Sequence, residues 1–204
     1  KRGVRVSGSE LVGLIPLESM INAGKYYLIK QKRSTGIPVK EIIHIAVKSM
    51  GLDDLSLFNP NEKIIEYCIG DEFGPLASMK LHEFLDELSS DSPAPGGGSV
   101  SALAGVLAAS LSSMVANLTF GKKKWLPLFD QMTQISQRSQ QLKDELIHLI
   151  DADNDSFKAV MEACIMPKKT ENQIVDRTTA INYAMKEATN IPFKTLQCCR
   201  SIMD

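Results

Sequence analysis

This sequence lacks a disulfide framework, a leader segment and a surplus of either charge. Its four cysteines, Cys68, Cys164, Cys198 and Cys199, show neither Cys-x-x-Cys spacing nor the density of a secreted scaffold. A reducing, cytoplasmic setting is the plain reading. A formal net charge of −1 over 204 residues removes the broad basic surface that nucleic-acid binders carry. Lys1-Arg2-Gly3-Val4-Arg5-Val6 holds neither an initiating Met nor an apolar run, so no signal peptide is expected and the chain reads as a fragment. With 44% apolar and 23% charged residues, what remains is an ordinary globular composition, which excludes disorder, collagen and coiled coil.

Several chemical signatures are missing as well. Neither a GxxxxGK[ST] nor a GxGxxG motif occurs, which argues against nucleotide and dinucleotide sites. An EF-hand over Asp151-Ala152-Asp153-Asn154-Asp155 would need a Gly at its sixth position and a Glu at its twelfth. Ser156 stands where that Gly is required, which excludes the loop. His44, His82 and His148 are scattered without ligand spacing, and no Ser-His-Asp or Cys-His order stands out. No metal site is expected.

Charge is absent altogether between Asp91 and Lys122, and Ser99 to Phe120 approaches membrane-spanning length. Five serines, Gly105, Asn117 and Thr119 dilute its apolarity, so the segment reads as a buried helix of a soluble bundle.

Along the chain, Val4-Arg5-Val6-Ser7 and Leu11-Val12-Gly13-Leu14-Ile15 have strand composition. Leu17 to Lys30 and the run from Val39 to Met50 behind Pro38 have helical spacing, and Gly51 is a natural stop. Such an opening looks like the end of a larger α/β domain. Gly70 to Pro75 reads as linker. Beyond Lys80 the pattern is helical throughout. Leu81, Phe84, Leu85 and Leu88 form one stripe, and Ser92-Pro93-Ala94-Pro95-Gly96-Gly97-Gly98 interrupts it before the small-residue helix. A long helix is expected from about Leu126 to Cys164. Thr170-Glu171-Asn172-Gln173 has the capping-box pattern, with Ile174, Ile181, Met185 and Ala188 as a stripe behind it, and Pro192 is expected to start a further short helix.

Three constellations could carry chemistry. Pro95-Gly96-Gly97-Gly98-Ser99 stands directly before a helix, where unobstructed N–H groups and the helix dipole favour an anion, with Ser99 as the N-cap. A plain flexible turn explains it equally well. In the long helix, at about 100° per residue, Leu142, Leu146, Leu149, Phe157, Val160 and Cys164 share one face, and Asp153 falls on it. Asp151 and Asp155 point to the opposite, solvated side. A carboxylate on an apolar face is either a paired core group or a functional acid. Lys122-Lys123-Lys124-Trp125 is either a basic helix cap or a landing point for an anionic tail.

These motifs, taken in order, resemble the formiminotransferase-cyclodeaminase family of histidine degradation and folate one-carbon metabolism. Val6-Ser7-Gly8-Ser9-Glu10-Leu11-Val12-Gly13-Leu14-Ile15-Pro16, Gly51-Leu52-Asp53-Asp54-Leu55 and Lys63-Ile64-Ile65-Glu66-Tyr67 resemble the end of the transferase part. Ala94-Pro95-Gly96-Gly97-Gly98-Ser99-Val100, Leu118-Thr119-Phe120-Gly121-Lys122, Asp151 to Phe157, Met166-Pro167-Lys168 and Ile191-Pro192 resemble the start of the cyclodeaminase. The resemblance implies a mainly α protein, a truncated helical bundle over 80–204 joined by a linker at 71–79 to an α/β remnant of the transferase at 1–70. It implies conversion of 5-formiminotetrahydrofolate to 5,10-methenyltetrahydrofolate with release of ammonia, a polyglutamylated folate substrate, no metal, and a homo-oligomer built from dimers. The family's catalytic carboxylate falls in the Asp-x-Asp segment, assigned here to Asp153. Gly96, Gly97, Gly98 and Ser99 are assigned to holding the folate or its tail, with Lys122 adding charge. The transferase histidine has no counterpart in these residues, so transferase activity is not expected. Cyclohydrolase activity and a catalytically inactive assembly fragment are the alternatives.

Overall fold

The computed structural model describes residues 8–70 and 73–203. Its helices are α1 (Leu17–Lys30), α2 (Val39–Met50), α3 (Pro60–Lys63), α4 (Ile65–Ile69), α5 (Leu81–Leu88), α6 (Gly97–Thr119), α7 (Phe129–Ile165) and α8 (Glu171–Met203), with a 3-10 segment at Lys123–Leu128. The protein is mainly α. Contacts gather it into two compact units, one on the described residues of 1–72 with 112–140, the other on 73–111 with the described residues of 141–204.

In the first unit, α1 and α2 pack through a core of Met20, Ile43, Ala46 and Val47, closed by Leu52, Phe58 and Ile64. Gly24 makes the approach close: a Cβ there would overlap the Ile42 backbone. Gly51 ends α2 at φ 67°, a left-handed conformation that glycine adopts without strain. The polar connection after α1 is buried at Ser34 and Thr35. The Gly36 carbonyl accepts from Asn117 Nδ2 at 2.7 Å and Ser113 Oγ at 3.2 Å, and Thr35 Oγ1 accepts from Gln137 Nε2 at 2.6 Å.

The strand expectation is corrected. Val4-Arg5-Val6-Ser7 lies outside the described residues. Leu11 to Ile15 forms no strand, only a single parallel bridge from Ile15 to Ile64, with Ile15 N–H donating to Lys63 O at 2.9 Å. A strand needs a neighbour along its length. Here Ile64 separates two short helices, so the pairing stops after one residue.

The second unit is built on Phe84, Ala102, Ala109, Leu142, Leu146, Leu149, Ile150 and Cys198. Gly105 sits at its centre, where a Cβ would lie 2.9 Å from Cys199 Sγ and 3.0 Å from Leu146 Cδ1. Glycine lets α6, α7 and α8 come together at that level.

Several helix details differ from expectation. α6 buries small residues, Ser99, Ala102, Ala109, Ser113 and Ala116, while Leu107, Leu111, Met114, Val115 and Leu118 are exposed. By length and composition it could cross a membrane, and 39% of its apolar window is buried. The reading of α6 as a buried helix therefore holds only for its small-residue face. Gly97 begins α6, which makes Ser99 the third helical residue rather than the cap. Pro192 lies inside α8 instead of starting a new helix. A proline removes one N–H but already has a helical φ, so flanking turns carry the helix through. The expected α8 stripe is not a core face, since Ile174 and Met185 are half exposed and Ala184, Thr195 and Cys198 are buried instead. The capping box is present: Gln173 N–H donates to Thr170 Oγ1 and Thr170 N–H to Gln173 Oε1, both at 3.3 Å.

Candidate functional site

The glycine turn and the acidic segment of α7 meet in the second unit. Asp153 Oδ2 accepts the Ser99 N–H at 2.9 Å and stands 3.1 Å from Ser99 Oγ. The same hydroxyl lies 2.9 Å from the Ile150 carbonyl, so one proton faces two acceptors. Ser99 is fully buried. A Cβ on Gly98 would overlap the Asp153 carboxylate, so only glycine lets the turn lie against it. Gly96 and Gly97 have open space where side chains would be. Four residues thus divide their work: Ser99 binds the carboxylate, Gly98 makes room for it, and Gly96 and Gly97 present bare backbone. Among the described residues, Asp153 Oδ1 accepts no hydrogen bond.

Asp151 overturns its assignment to the solvated side. It is buried, and its two oxygens accept the Leu76 N–H at 2.8 Å and the Ala77 N–H at 3.1 Å. Gly74 packs against the same carboxylate, which a Cβ there would overlap. The physical reason is tertiary: the turn over 74–78 covers this side of α7 and brings unpaired backbone donors that a carboxylate satisfies. Phe157 and Cys164, expected inward, are exposed, because the buried line of α7 runs through Ile150, Asp151 and Asn154 instead. Asp155 is exposed and lies 3.7 Å from Lys158, as a surface carboxylate should.

Asp151 and Asp153 therefore tether the two walls of one cleft. Its volume is about 520 Å³, within the range of small-molecule sites. One wall holds Pro75 and Leu76, from the turn fixed by Asp151; the other holds Pro93 and Ala94, just before the turn fixed by Asp153. The floor is α7, through Asn154, Phe157 and Met161. Sequence reasoning missed this floor. The signal was there in the spacing of Asn154, Phe157, Lys158, Met161 and Glu162, which is one continuous helical face.

Lys122 is not gathered into this cluster. It follows α6 in the chain and belongs to the first unit. Its neighbour Lys124 places Nζ 5.0 Å from the Trp125 ring centroid. The first unit holds a larger cleft of about 740 Å³ beside Lys40, His44, Lys48 and Asp53, none of them a sequence-predicted site residue. There an ion pair with Lys48 draws Asp53 below the usual carboxylate range and raises the Lys48 ammonium, in each case chiefly through their hydrogen bond. Among the described residues no three His, Cys, Asp or Glu side chains are placed to hold a metal ion.

Comparison with known proteins agrees with the ordered motifs. A family model described as Formiminotransferase-cyclodeaminase matches residues 80–204, and one described as Formiminotransferase domain matches residues 1–70. The chain is 38% identical over 189 residues to the formimidoyltransferase-cyclodeaminase of Gallus gallus, covering 92% of this chain and 35% of that protein. It is 37% identical over 195 residues to the protein of the same name from Dictyostelium discoideum, covering 94% and 35%. It thus spans about a third of the length of these curated relatives. A methenyltetrahydrofolate cyclohydrolase of Methylorubrum extorquens is 39% identical over 124 residues, or 61% of this chain and 60% of the relative. Among solved structures, the formiminotetrahydrofolate cyclodeaminase of Thermotoga maritima superposes with a TM-score of 0.51 at 30% identity, covering 59% of this chain and 56% of that one.

Proposed function

Because the chain belongs to the formiminotransferase-cyclodeaminase family, we propose that its residues 80–204 carry a folate site that cyclises 5-formiminotetrahydrofolate to 5,10-methenyltetrahydrofolate and releases ammonia. One observation carries the reading. The Asp153 carboxylate is held by the Ser99 N–H at the start of α6, beside a cleft of about 520 Å³, with Oδ1 free of hydrogen bonds from the described residues.

In this reading N10 of the folate attacks the formimino carbon, forming the new C–N bond. Asp153 Oδ1 takes the N10 proton and returns it to the exocyclic nitrogen. That nitrogen leaves as ammonia with its own hydrogen, the N10 proton and one proton from solvent, and the product carries the positive charge of the methenyl bridge. Ser99 supports both protonation states. When Asp153 is ionised, the Ser99 hydroxyl donates to Oδ2; when Oδ1 carries the proton, the hydroxyl turns to the Ile150 carbonyl and the Ser99 N–H stays on Oδ2. The open backbone at Gly96 and Gly97, at a helix N-terminus, suits a carboxylate of the folate tail. Lys122 stands as a separate candidate for charge toward an anionic polyglutamate tail. Residues 1–70 belong to the transferase part, with 71–79 as linker. The reading includes a cytoplasmic homo-oligomer built from dimers, with the exposed Leu107 and Leu111 of α6 as an apolar surface for a second copy.

The test is absorbance-monitored formation of methenyltetrahydrofolate from 5-formiminotetrahydrofolate, against a no-enzyme control. Wild type accelerates the reaction and Asp153→Asn loses that acceleration with its helix content intact. Equal turnover by the variant removes Asp153 from the acid/base role. The cyclohydrolase relative favours a second reading, hydrolysis of the methenyl bridge. Loss of methenyltetrahydrofolate absorbance on adding the protein, without ammonia release from the formimino substrate, would select it.

A further inference from the structure

Asn154 is 5% exposed as a residue, and its side-chain amide makes no hydrogen bond with the described residues while facing the cleft. The residue as a whole is buried, but its amide atoms are not sealed off and reach the open space of the cleft. Asn154 lines the cleft floor one residue after Asp153. The next turn of the same helical face carries Phe157, 41% exposed, and Met161, 50% exposed. Apolar faces thus stand beside one cleft-facing group that can both donate and accept.

Such an arrangement suits a flat heterocycle with adjacent donor and acceptor atoms on one edge. The ring faces pack on Phe157 and Met161, and the edge pairs with the amide. We infer that Asn154 is the recognition residue for the lactam edge of the substrate's pterin ring, with Phe157 and Met161 as its packing surface. The inference rests on the folate reading of the site and adds the ring's place within it. The amide, which makes no bond within the described residues, then finds its partners on the ligand. Adjacent positions on α7 then do different work, Asp153 on the reacting bridge and Asn154 on the ring.

The probe is 5-formyltetrahydrofolate, which has no formimino nitrogen to lose, titrated calorimetrically into wild type, Asn154→Leu and Asn154→Ser. The melting temperature without ligand is read in parallel. Both variants should bind at least about tenfold more weakly, the order expected from losing a pair of hydrogen bonds while the ring edge stays buried. Neither should melt earlier, since the amide has no bond in the free protein to lose. Unchanged affinity in the variants overturns the inference and leaves the folate reading standing. Weaker binding accompanied by a lower melting temperature in both variants assigns Asn154 a structural role and overturns it as well. If wild type itself does not bind the probe, the folate reading fails and the inference falls with it.

Discussion

Ser99 and Asp153, 54 residues apart in the chain, meet through two contacts to the same carboxylate oxygen, the backbone N–H at 2.9 Å and the hydroxyl at 3.1 Å. This joins the first turn of α6 to the middle of α7. It also explains why the preceding residue is glycine, because any side chain at position 98 would occupy the space of the carboxylate.

Gly98→Ala tests that contact without touching a polar group. The added methyl must push Asp153 out of place. Turnover of 5-formiminotetrahydrofolate should fall by roughly a hundredfold, the lower range for loss of a positioned acid/base. Circular dichroism should show helix content unchanged, since alanine favours helix over glycine.

Gly96→Ala separates an anion site from a plain turn. Nothing stands within 4 Å of where its Cβ would be, so stability should hold within about 0.5 kcal/mol, as for surface substitutions in general. If the bare backbone receives a folate carboxylate, affinity for a polyglutamylated folate drops several-fold. Unchanged affinity in equilibrium dialysis would leave the turn without a binding role.

Asp151→Ala should destabilise the second unit. It strands the Leu76 and Ala77 N–H groups beneath a covered turn, at about 1–3 kcal/mol for a buried donor left unpaired. Urea unfolding measures the loss. Because the turn forms one wall of the cleft, KM should rise more than kcat falls.

Acid exposes the Lys48–Asp53 pair of the first unit. Asp53 has its pKa lowered by the Lys48 hydrogen bond, so the pair's contribution is present above the ordinary value of 3.8 and is lost as pH falls through the lower folded value. The raised Lys48 gives the mirror case, with loss as pH rises past 10.5. Denaturant midpoints from pH 5 down to pH 2 should drop less steeply in Asp53→Asn than in wild type.

Much of the helical architecture was legible from local pattern. Ile42, Ile43, Ala46 and Val47 repeat at helical spacing and are buried as that spacing implies, Gly51 stops α2, and Thr170 with Gln173 caps α8. Each depends on interactions within a turn or two of chain. Leu11 to Ile15 misled because strand composition creates no strand without a neighbour. Phe157 misled because a helical wheel assigns faces without knowing what packs on them.

The site divides along the same line. Glycines before a helix and an Asp-x-Asp segment can be read directly, because the freedom of Gly96 and Gly97 and the one-turn spacing of side chains are local properties. That Asp153 receives Ser99 while Asp151 anchors 76–77 could not be read. Both carboxylates sit on one helix, and their fates depend on which distant backbone donors arrive at each. The same holds for Asn154, a polar residue that tertiary packing leaves 5% exposed on the cleft floor. Local sequence determined the helices and the chemical groups they carry; tertiary packing decided which groups lost their water, and so which are left with chemistry to do.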